Sequence, residues 1–229
     1  MKISGLEKLT LQDYPEHVAC IIFTQGCNFS CRFCHNADLI ACNRPCKLNE
    51  EDILAYLDSR KQVLDGVVIS GGEPLLQEGI KDFIKAIKDK GLKVKIDTNG
   101  TNYKMLKELI DENLIDYVAM DVKADENNYG KLIGRDDYDY ERVQNAINIL
   151  KASNIDYEFR TTIIKEFHDL SGLESICKFI GEKSKYYLQN FVNSEKVLNK
   201  ELQGFSRNEL LNIERNLNQA YPNVKVRGL

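Results

Sequence analysis

The stretch HVACIIFTQGCNFSCRFC, residues 17–34, joins an apolar run to three closely spaced cysteines. Its first part, HVACIIF, predicts a β-strand because it is short, apolar and rich in residues that favour strands. Its second part places Cys27, Cys31 and Cys34 just after that strand. In barrels of parallel strands the carboxyl ends of the strands carry the site, so this stretch bears on both the fold and the chemistry.

The rest of the chain repeats the order of strand followed by helix. Six such units in one run predict a parallel sheet. The predicted strands are HVACIIF, GVVIS, LKVKID, DYVAMDVK, DYEFRTTII and KYYLQNF, and the final NVKVRG is a candidate for a short extra strand. The predicted helices are NEEDILAYLDSR with Asn49 as its cap, a helix through Ile80, Phe83, Ile84 and Ile87 that Gly91 ends, YKMLKELIDE, and helices around 143–150, 173–180 and 206–217.

Polar residues share faces near the carboxyl ends of several predicted strands. The sets are Lys93, Lys95 and Asp97, then Asp121 and Lys123, then Glu158, Arg160 and Thr162. A doubly wound open sheet packs helices on both faces, and its strands are therefore apolar throughout. An open barrel with a wet mouth accommodates these polar faces. The sequence predicts an α/β fold, a partial (βα)6 TIM-like barrel, as a single domain over residues 1–229.

The composition is that of an ordinary globular protein. The chain has 229 residues, 43% of them hydrophobic, a net charge of −4 and 7 cysteines. It has no basic tract that would indicate nucleic-acid binding, no apolar run long enough to cross a bilayer and no signal-peptide pattern at its start. We therefore expect a cytosolic protein with no nucleic-acid or membrane partner. In a reducing compartment the cysteines indicate metal or redox chemistry before disulfides.

Three thiolates at the spacing of Cys27, Cys31 and Cys34 suit a soft metal or an iron–sulfur cluster. A cluster of four irons takes four ligands, so three thiolates leave one iron open for another molecule. Two alternatives stay open on spacing alone. One is a structural zinc site of Cys31, Cys34, Cys42 and Cys46. The other is a complete four-cysteine cluster for electron transfer, with Cys42, Cys46 or Cys20 as its fourth ligand.

Two motifs resemble those of the radical S-adenosylmethionine (radical SAM) family. CNFSCRFC, residues 27–34, resembles the family's CxxxCxΦC motif with Phe33 as the aromatic residue, and ISGGEP, residues 69–74, resembles its GGEP motif. A narrower resemblance, to activating proteins of anaerobic ribonucleoside-triphosphate reductase, rests on residues 11–36 and on GVVISGGEP, KIDTNG, AMDVKA and DYEFRTTII. Other activases of glycyl-radical enzymes carry Asp-Gly-Pro-Gly where this chain has DYPE, residues 13–16, which favours the reductase branch.

The resemblance implies a 4Fe–4S cluster held by the three cysteines, with its open iron chelated by S-adenosylmethionine. It implies reductive cleavage of S-adenosylmethionine to methionine and a 5′-deoxyadenosyl radical, which takes a hydrogen atom from a glycine Cα of a partner enzyme. The implied partners are a glycyl-radical enzyme, in the first place anaerobic ribonucleotide reductase, and a flavodoxin or ferredoxin electron donor. An open iron also implies sensitivity to oxygen. Cys42 and Cys46 are too few for a second cluster, and we expect free thiols or a redox pair.

The resemblance also implies which residues contact S-adenosylmethionine. Gly71 and Gly72 let backbone approach the ligand closely because they lack Cβ atoms. Arg160 is expected to reach its carboxylate, and Asp97 and Asp121 could share a monovalent cation. Ion pairs among these side chains are the plainer alternative. The full predicted set is Phe33, Gly71, Gly72, Glu73, Asp97, Thr98, Asn99, Asp121, Lys123 and Arg160.

Two other functions compete with activation of a glycyl-radical enzyme. One is a radical SAM enzyme that modifies a small molecule or peptide inside the barrel. A small substrate needs a lid, and the absence of a long predicted insertion after any strand disfavours this alternative. The other is a non-enzymatic zinc or electron-transfer domain, which requires four cysteine ligands and no response to S-adenosylmethionine.

Overall fold

A computed structural model of the chain describes residues 1–42, 45–46 and 48–228. Its strands are β1 (Ile3–Thr10), β2 (Ala19–Thr24), β3 (Gly66–Gly71), β4 (Lys93–Thr98), β5 (Tyr117–Asp121), β6 (Asp156–Ile163), β7 (Tyr186–Asn190) and β8 (Val224–Arg227). Its α-helices are α1 (Glu50–Arg60), α2 (Ile80–Lys88), α3 (Tyr103–Asp111), α4 (Glu126–Ile133), α5 (Glu141–Ala152), α6 (Leu170–Ile180) and α7 (Arg207–Leu217). Two short 3-10 helices cover Ala37–Leu39 and Pro74–Leu76.

The strands form one sheet in which sequence order and spatial order coincide, from β1 to β8. β2 to β8 are parallel, whereas β1 pairs with β2 in the antiparallel sense. Every crossover between parallel strands contains at least one α-helix, and the first and last strands are not neighbours. The predicted fold class, an open and partial barrel of the TIM type, is confirmed.

The six predicted helices form where the sequence places them, and their apolar stripes face the sheet. Asn49 caps α1 in a reciprocal capping box with Asp52, in which each side chain accepts from the other's backbone N–H. α2 buries Ile80, Phe83 and the residues that follow at helical spacing. These stripes pack against the apolar residues of the strands, so the main core lies between the sheet and the helices.

The inner face of the sheet carries polar side chains toward the carboxyl ends of the strands and aromatic rings toward their amino ends. Tyr14 is buried and packs edge-to-face on Tyr117, with ring centroids 6.0 Å apart. Gly66 makes room for it, because a Cβ there would lie 2.8 Å from the Tyr14 ring. Glu16, at the position of the second glycine in the Asp-Gly-Pro-Gly pattern, has a φ of 64°, a conformation that glycine adopts without strain.

Two features differ from the predicted order of elements. β1 and α4 are additional elements. The expectation of no long insertion after a strand is wrong, since residues 191–206 connect β7 to α7 without a helix or strand. This connection folds back on the loop after β2, where the Asn199 N–H donates to the Arg32 carbonyl at 3.0 Å. Among the described residues, none of the helices has both the length and the apolar character to cross a membrane.

Candidate active site

The loop that carries Cys27, Cys31 and Cys34, called the cluster cysteines from here on, follows β2 and has no α-helix or strand of its own. Its backbone is held by other parts of the chain. The N–H groups of Gly26 and Cys27 donate to the carbonyls of Leu39 and Ile40 at 2.7 and 3.2 Å. Those of Ser30 and Arg32 donate to carbonyls at the end of α4, at 3.0 and 3.3 Å. The missed helix α4 therefore has a structural role at the site.

The three cluster cysteines line one cavity, and they affect the pKa values of one another's thiols. Burial raises the pKa of the Cys27 thiol to about 11 and that of the Cys31 thiol to about 12. Burial is the largest cause of both shifts, repulsion from neighbouring thiolates adds to it, and the Lys123 ammonium opposes it. A soft metal that binds here must displace the thiol protons, which thiolate ligation does in general.

The remaining cysteines lie elsewhere. Cys20 and Cys177 are buried in β2 and α6. Cys42 and Cys46, called the outer cysteines, are exposed free thiols whose sulfurs contact the Gln25 carbonyl at 3.5 Å and the Gln25 Oε1 at 3.6 Å. Within residues 1–42, 45–46 and 48–228, no three His, Cys, Asp or Glu side chains are arranged to hold a single metal ion. A cube of four irons takes each thiolate on a different iron, so its ligands need not converge on one point.

The glycine turn at the end of β3, formed by Gly71 and Gly72, lines the cavity. Because these residues lack Cβ atoms, other parts of the backbone can approach them closely. A Cβ at Gly71 would overlap the backbone of Thr24, and one at Gly72 would overlap the Gly26 carbonyl. Gly71 has a φ of 117°, and the Gly72 N–H donates to the Thr24 carbonyl at 3.0 Å. The two glycines thus let the end of β3 approach the start of the cysteine loop, in addition to leaving backbone exposed toward a ligand.

Of the ten residues predicted to contact S-adenosylmethionine, Glu73 is the one that does not line the cavity. It is completely buried, and its carboxylate accepts from Thr98 Oγ1 at 2.7 Å, from the Asn99 N–H at 2.7 Å and from the Leu75 N–H at 3.1 Å. Burial raises the pKa of Glu73 to about 7, against the opposing effect of these donors. Glu73 therefore fastens the end of β3 to the end of β4 from behind the site.

Charged side chains from β4, from β6 and from the end of β5 through Lys123 form a partly buried network along the wall of the cavity. Arg160 Nε donates to Asp121 at 2.8 Å, and its Nη1 lies 3.4 Å from Asp97. Lys123 donates to Asp121 at 2.8 Å, and Lys95 donates to Asp97. Burial alone would raise the pKa of Asp121, but Arg160 and Lys123 hold that pKa well below its usual range. Two carboxylates thus face three cations, which leaves one positive charge in excess.

Aromatic and amide groups complete the wall. The Phe33 ring is buried and lies beneath the Lys123 ammonium, 5.7 Å from Nζ to the ring centroid. The Asn99 amide donates to Asn28 Oδ1 at 3.0 Å and lies 4.0 Å from Cys27 Sγ. Glu158, which lies on the same strand face as Arg160, forms a two-point ion pair with Arg227 at 2.7 and 3.0 Å.

Together these groups line one cavity of about 300 Å³ at the carboxyl ends of β3 to β7. The cavity brings together the cluster cysteines and every predicted contact residue except Glu73. The sequence did not single out several other lining residues for this site, namely Phe29, Asn36, Ile40 and Ser70, and it gave His35, Thr162 and Gln189 no firm role. Strand alternation indicates Thr162, two residues after Arg160, and Gln189, which shares a strand face with Tyr187 at the open mouth, and His35 lies beside the cysteine loop in sequence.

Comparison with known proteins gives consistent results. The sequence pattern of the Radical SAM superfamily matches residues 21–179. A Methanocaldococcus jannaschii protein, provisionally named a glycyl-radical enzyme activating enzyme, is 36% identical over 194 residues, which are 82% of this chain and 79% of that protein. The pyruvate formate-lyase-activating enzyme of Clostridium pasteurianum is 34% identical over 140 residues, 58% of each chain.

Solved structures show the same fold at low sequence identity. Streptococcus suis SuiB, in a crystal structure with S-adenosylmethionine bound, superposes with a TM-score of 0.67 at 17% identity. The alignment covers 89% of this chain and 48% of SuiB, so this chain spans about half of that protein. The matched pattern extends from β2 into α6 and includes the cysteine loop and the glycine turn. This chain therefore belongs to the radical SAM superfamily and is a radical SAM enzyme.

Proposed function

We propose that this enzyme activates a glycyl-radical enzyme by removing a hydrogen atom from a glycine Cα of that partner. The observation that carries the proposal is the single cavity on which the cluster cysteines, the glycine turn and the Asp97–Arg160–Asp121 network converge. The relatives named above as activating enzymes support the choice of reaction within the superfamily.

Membership of the superfamily implies a 4Fe–4S cluster and S-adenosylmethionine, and the residues present fit both. The cluster cysteines supply three soft thiols to the lining of the cavity, so an iron–sulfur cube bound by them would keep one iron without a protein ligand. The cavity volume of about 300 Å³ is at the lower end for small-molecule sites. When bound, this pair supplies one-electron cleavage of a sulfonium to methionine and 5′-deoxyadenosine, with the hydrogen atom coming from glycine.

The chain's own residues would bind and orient S-adenosylmethionine. The excess positive charge of the network favours the methionine carboxylate, and the Arg160 guanidinium offers it a forked donor. Asp97 and Asp121 can accept from the amino group or from ribose hydroxyls, and Phe33 offers a flat apolar surface to adenine. Thr98 Oγ1 already donates to Glu73, so Thr98 would contribute to the shape of the site through its position.

The proposed monovalent cation between Asp97 and Asp121 has a competitor in the structure. Arg160 bridges the two carboxylates and already balances their repulsion. A cation would be needed there if Arg160 turned toward the S-adenosylmethionine carboxylate. We therefore propose that cation binding, if it occurs, accompanies S-adenosylmethionine binding. This coupling is tested by measuring whether the apparent affinity for S-adenosylmethionine rises with the potassium concentration.

The partner that we propose in the first place is anaerobic ribonucleotide reductase, with a flavodoxin or ferredoxin as electron donor and the cytosol as location. The proposal rests on the resemblance through residues 11–36, including Tyr14 and Glu16 in place of glycines. The runner-up is a radical SAM enzyme that modifies a small molecule or peptide. Residues 191–206 favour this runner-up, because the segment lies against the cysteine loop through the Asn199–Arg32 and His35–Ser194 contacts, where a lid would act.

An anaerobic assay separates these proposals. The protein is reconstituted with iron and sulfide, reduced, and given S-adenosylmethionine with or without a glycyl-radical enzyme. We expect 5′-deoxyadenosine in both cases, and the EPR doublet of a glycyl radical when the partner is present. Anaerobic ribonucleotide reductase and pyruvate formate-lyase serve as parallel partners, and Cys31→Ala is the control. Cleavage of S-adenosylmethionine without a glycyl radical on either partner would contradict the proposed function.

A further inference from the structure

The side-chain amide of Asn99 has a fixed orientation. Thr101 donates to Asn99 Oδ1 twice, from its backbone N–H at 2.9 Å and from its hydroxyl at 2.5 Å. The backbone N–H can only donate, which identifies this atom as the oxygen and places the NH₂ group on the other side. Asn99 and Thr101 are both buried, so water does not compete strongly for these hydrogen bonds.

The fixed NH₂ group points at the cysteine loop. One of its hydrogens is accepted by Asn28 Oδ1, with Nδ2 and Oδ1 3.0 Å apart. The same nitrogen lies 4.0 Å from Cys27 Sγ, within the longer range of hydrogen bonds to sulfur. A second donor, the Phe29 backbone N–H, lies 3.4 Å from this sulfur. The two N–H groups approach Cys27, and of the two only the Asn99 amide belongs to a side chain, so its removal leaves the backbone of the loop unchanged.

We propose that Asn99 is a positioning residue for the cluster, which donates a hydrogen bond to the Cys27 sulfur and raises the reduction potential of the cluster. This inference rests on the cluster assignment made under the proposed function and is independent of the identity of the partner. An N–H group directed at a thiolate stabilises the electron-rich reduced state more than the oxidised state, and hydrogen bonds to sulfur are among the factors that set cluster potentials. Asn99 would then act on the cluster rather than on S-adenosylmethionine, the contact that the family resemblance implies.

The test is an EPR-monitored redox titration of the reconstituted protein without S-adenosylmethionine. Asn99→Ala removes the donor, and Asn99→Asp keeps the acceptor for Thr101 while replacing the donor with an oxygen. We expect both variants to shift the midpoint potential to lower values. Gln189→Ala is the matched control, because it removes an amide from the same cavity where no contact with a cluster cysteine is seen, and its potential should equal that of the wild type.

Each outcome decides the inference. Wild-type potentials in both Asn99 variants would overturn it, and a raised KM for S-adenosylmethionine in those variants would then assign the amide to that ligand. A lowered potential in Gln189→Ala of equal size would also overturn it, since the effect would then be general to the cavity. If Asn99→Ala and Asn99→Asp fail to hold iron, Thr101→Val provides the test. It loosens the amide without removing it, so a smaller shift in the same direction supports the inference and no shift overturns it. A wild type that assembles no 4Fe–4S cluster would instead overturn the cluster assignment itself.

Discussion

Glu73 offers a stringent test of the energetics of the site. Replacement by Gln keeps the Oε1 acceptor for Thr98 and Leu75 and turns the second oxygen into an NH₂ group that faces the Asn99 N–H. A buried donor left without an acceptor costs about 1–3 kcal/mol. At about 2 kcal/mol, and about 2–4 °C per kcal/mol for a chain of this size, Glu73→Gln should lower the melting temperature by about 4–8 °C.

The pH dependence of this loss has a defined sign. The pKa of Glu73 rises from 4.5 to about 7 on folding, so the native state keeps a proton that the unfolded state releases in this interval. Wild-type stability therefore falls as the pH rises from about 4.5 to about 7, and Glu73→Gln lacks this titration. The advantage of the wild type over the variant should be larger at pH 6 than at pH 8.

Anaerobic thermal unfolding of the cluster-loaded protein, followed by circular dichroism, measures the change in melting temperature, and urea unfolding at both pH values measures how the stability difference depends on pH. Glu78→Gln is the control, because Glu78 is exposed and close in sequence, and it should stay within about 0.5 kcal/mol of the wild type. Equal stability of Glu73→Gln and wild type at both pH values would refute the reasoning from burial and hydrogen bonding. A difference that grows with pH would refute the sign of the linkage.

Three other predictions concern the cavity. Replacing any one cluster cysteine with Ala should abolish the 4Fe–4S spectrum. Replacing both outer cysteines with Ala should leave the iron and sulfide content unchanged. Loss of iron from the variant without the outer cysteines would instead support a four-cysteine site. Arg160→Ala should raise the KM for S-adenosylmethionine about tenfold or more, since it removes a charge-assisted donor worth about 1.5–3 kcal/mol, and an unchanged KM for 5′-deoxyadenosine formation would argue against contact with the carboxylate. Gly72→Ala should destabilise the protein by about 1–3 kcal/mol in urea unfolding because its Cβ meets the Gly26 carbonyl, whereas Gly5→Ala, with its nearest neighbour atom 3.9 Å away, should show no comparable loss.

The parallel strands and the cavity residues were predictable because their signals are local. Apolar runs such as GVVIS mark buried strands, and the polar alternation around Asp97, Asp121 and Arg160 marks the inner face of a barrel. The motif residues follow strands at the same edge of the sheet, so their convergence follows from the topology. Spacing alone left the ligand set open. The arrangement of the cluster cysteines around one cavity, with the outer cysteines against Gln25, required the three-dimensional structure.

The elements that escaped prediction lack such local signals. β1, with sequence ISGLEKLT, is an edge strand whose middle is largely exposed, so burial imposes no apolar alternation on it. α4, with sequence ENNYGKLI, contains asparagines and a glycine of low helix propensity and is stabilised by tertiary packing of Tyr129, Leu132 and Ile133. The roles of Glu73 and Asn99 depend on partners 25 or more residues away in the chain, which no local pattern encodes.

The cysteine loop takes its shape from partners that are synthesised long after it. Its backbone is hydrogen-bonded to Leu132 and Ile133, and then to Asn199 near the end of the described chain. A ribosome-bound fragment that has just exposed residues 27–34 cannot yet form these contacts. The native backbone shape of this loop therefore requires synthesis at least through Asn199, so a cysteine site that depends on that shape would form after translation of residues 27–34 rather than during it.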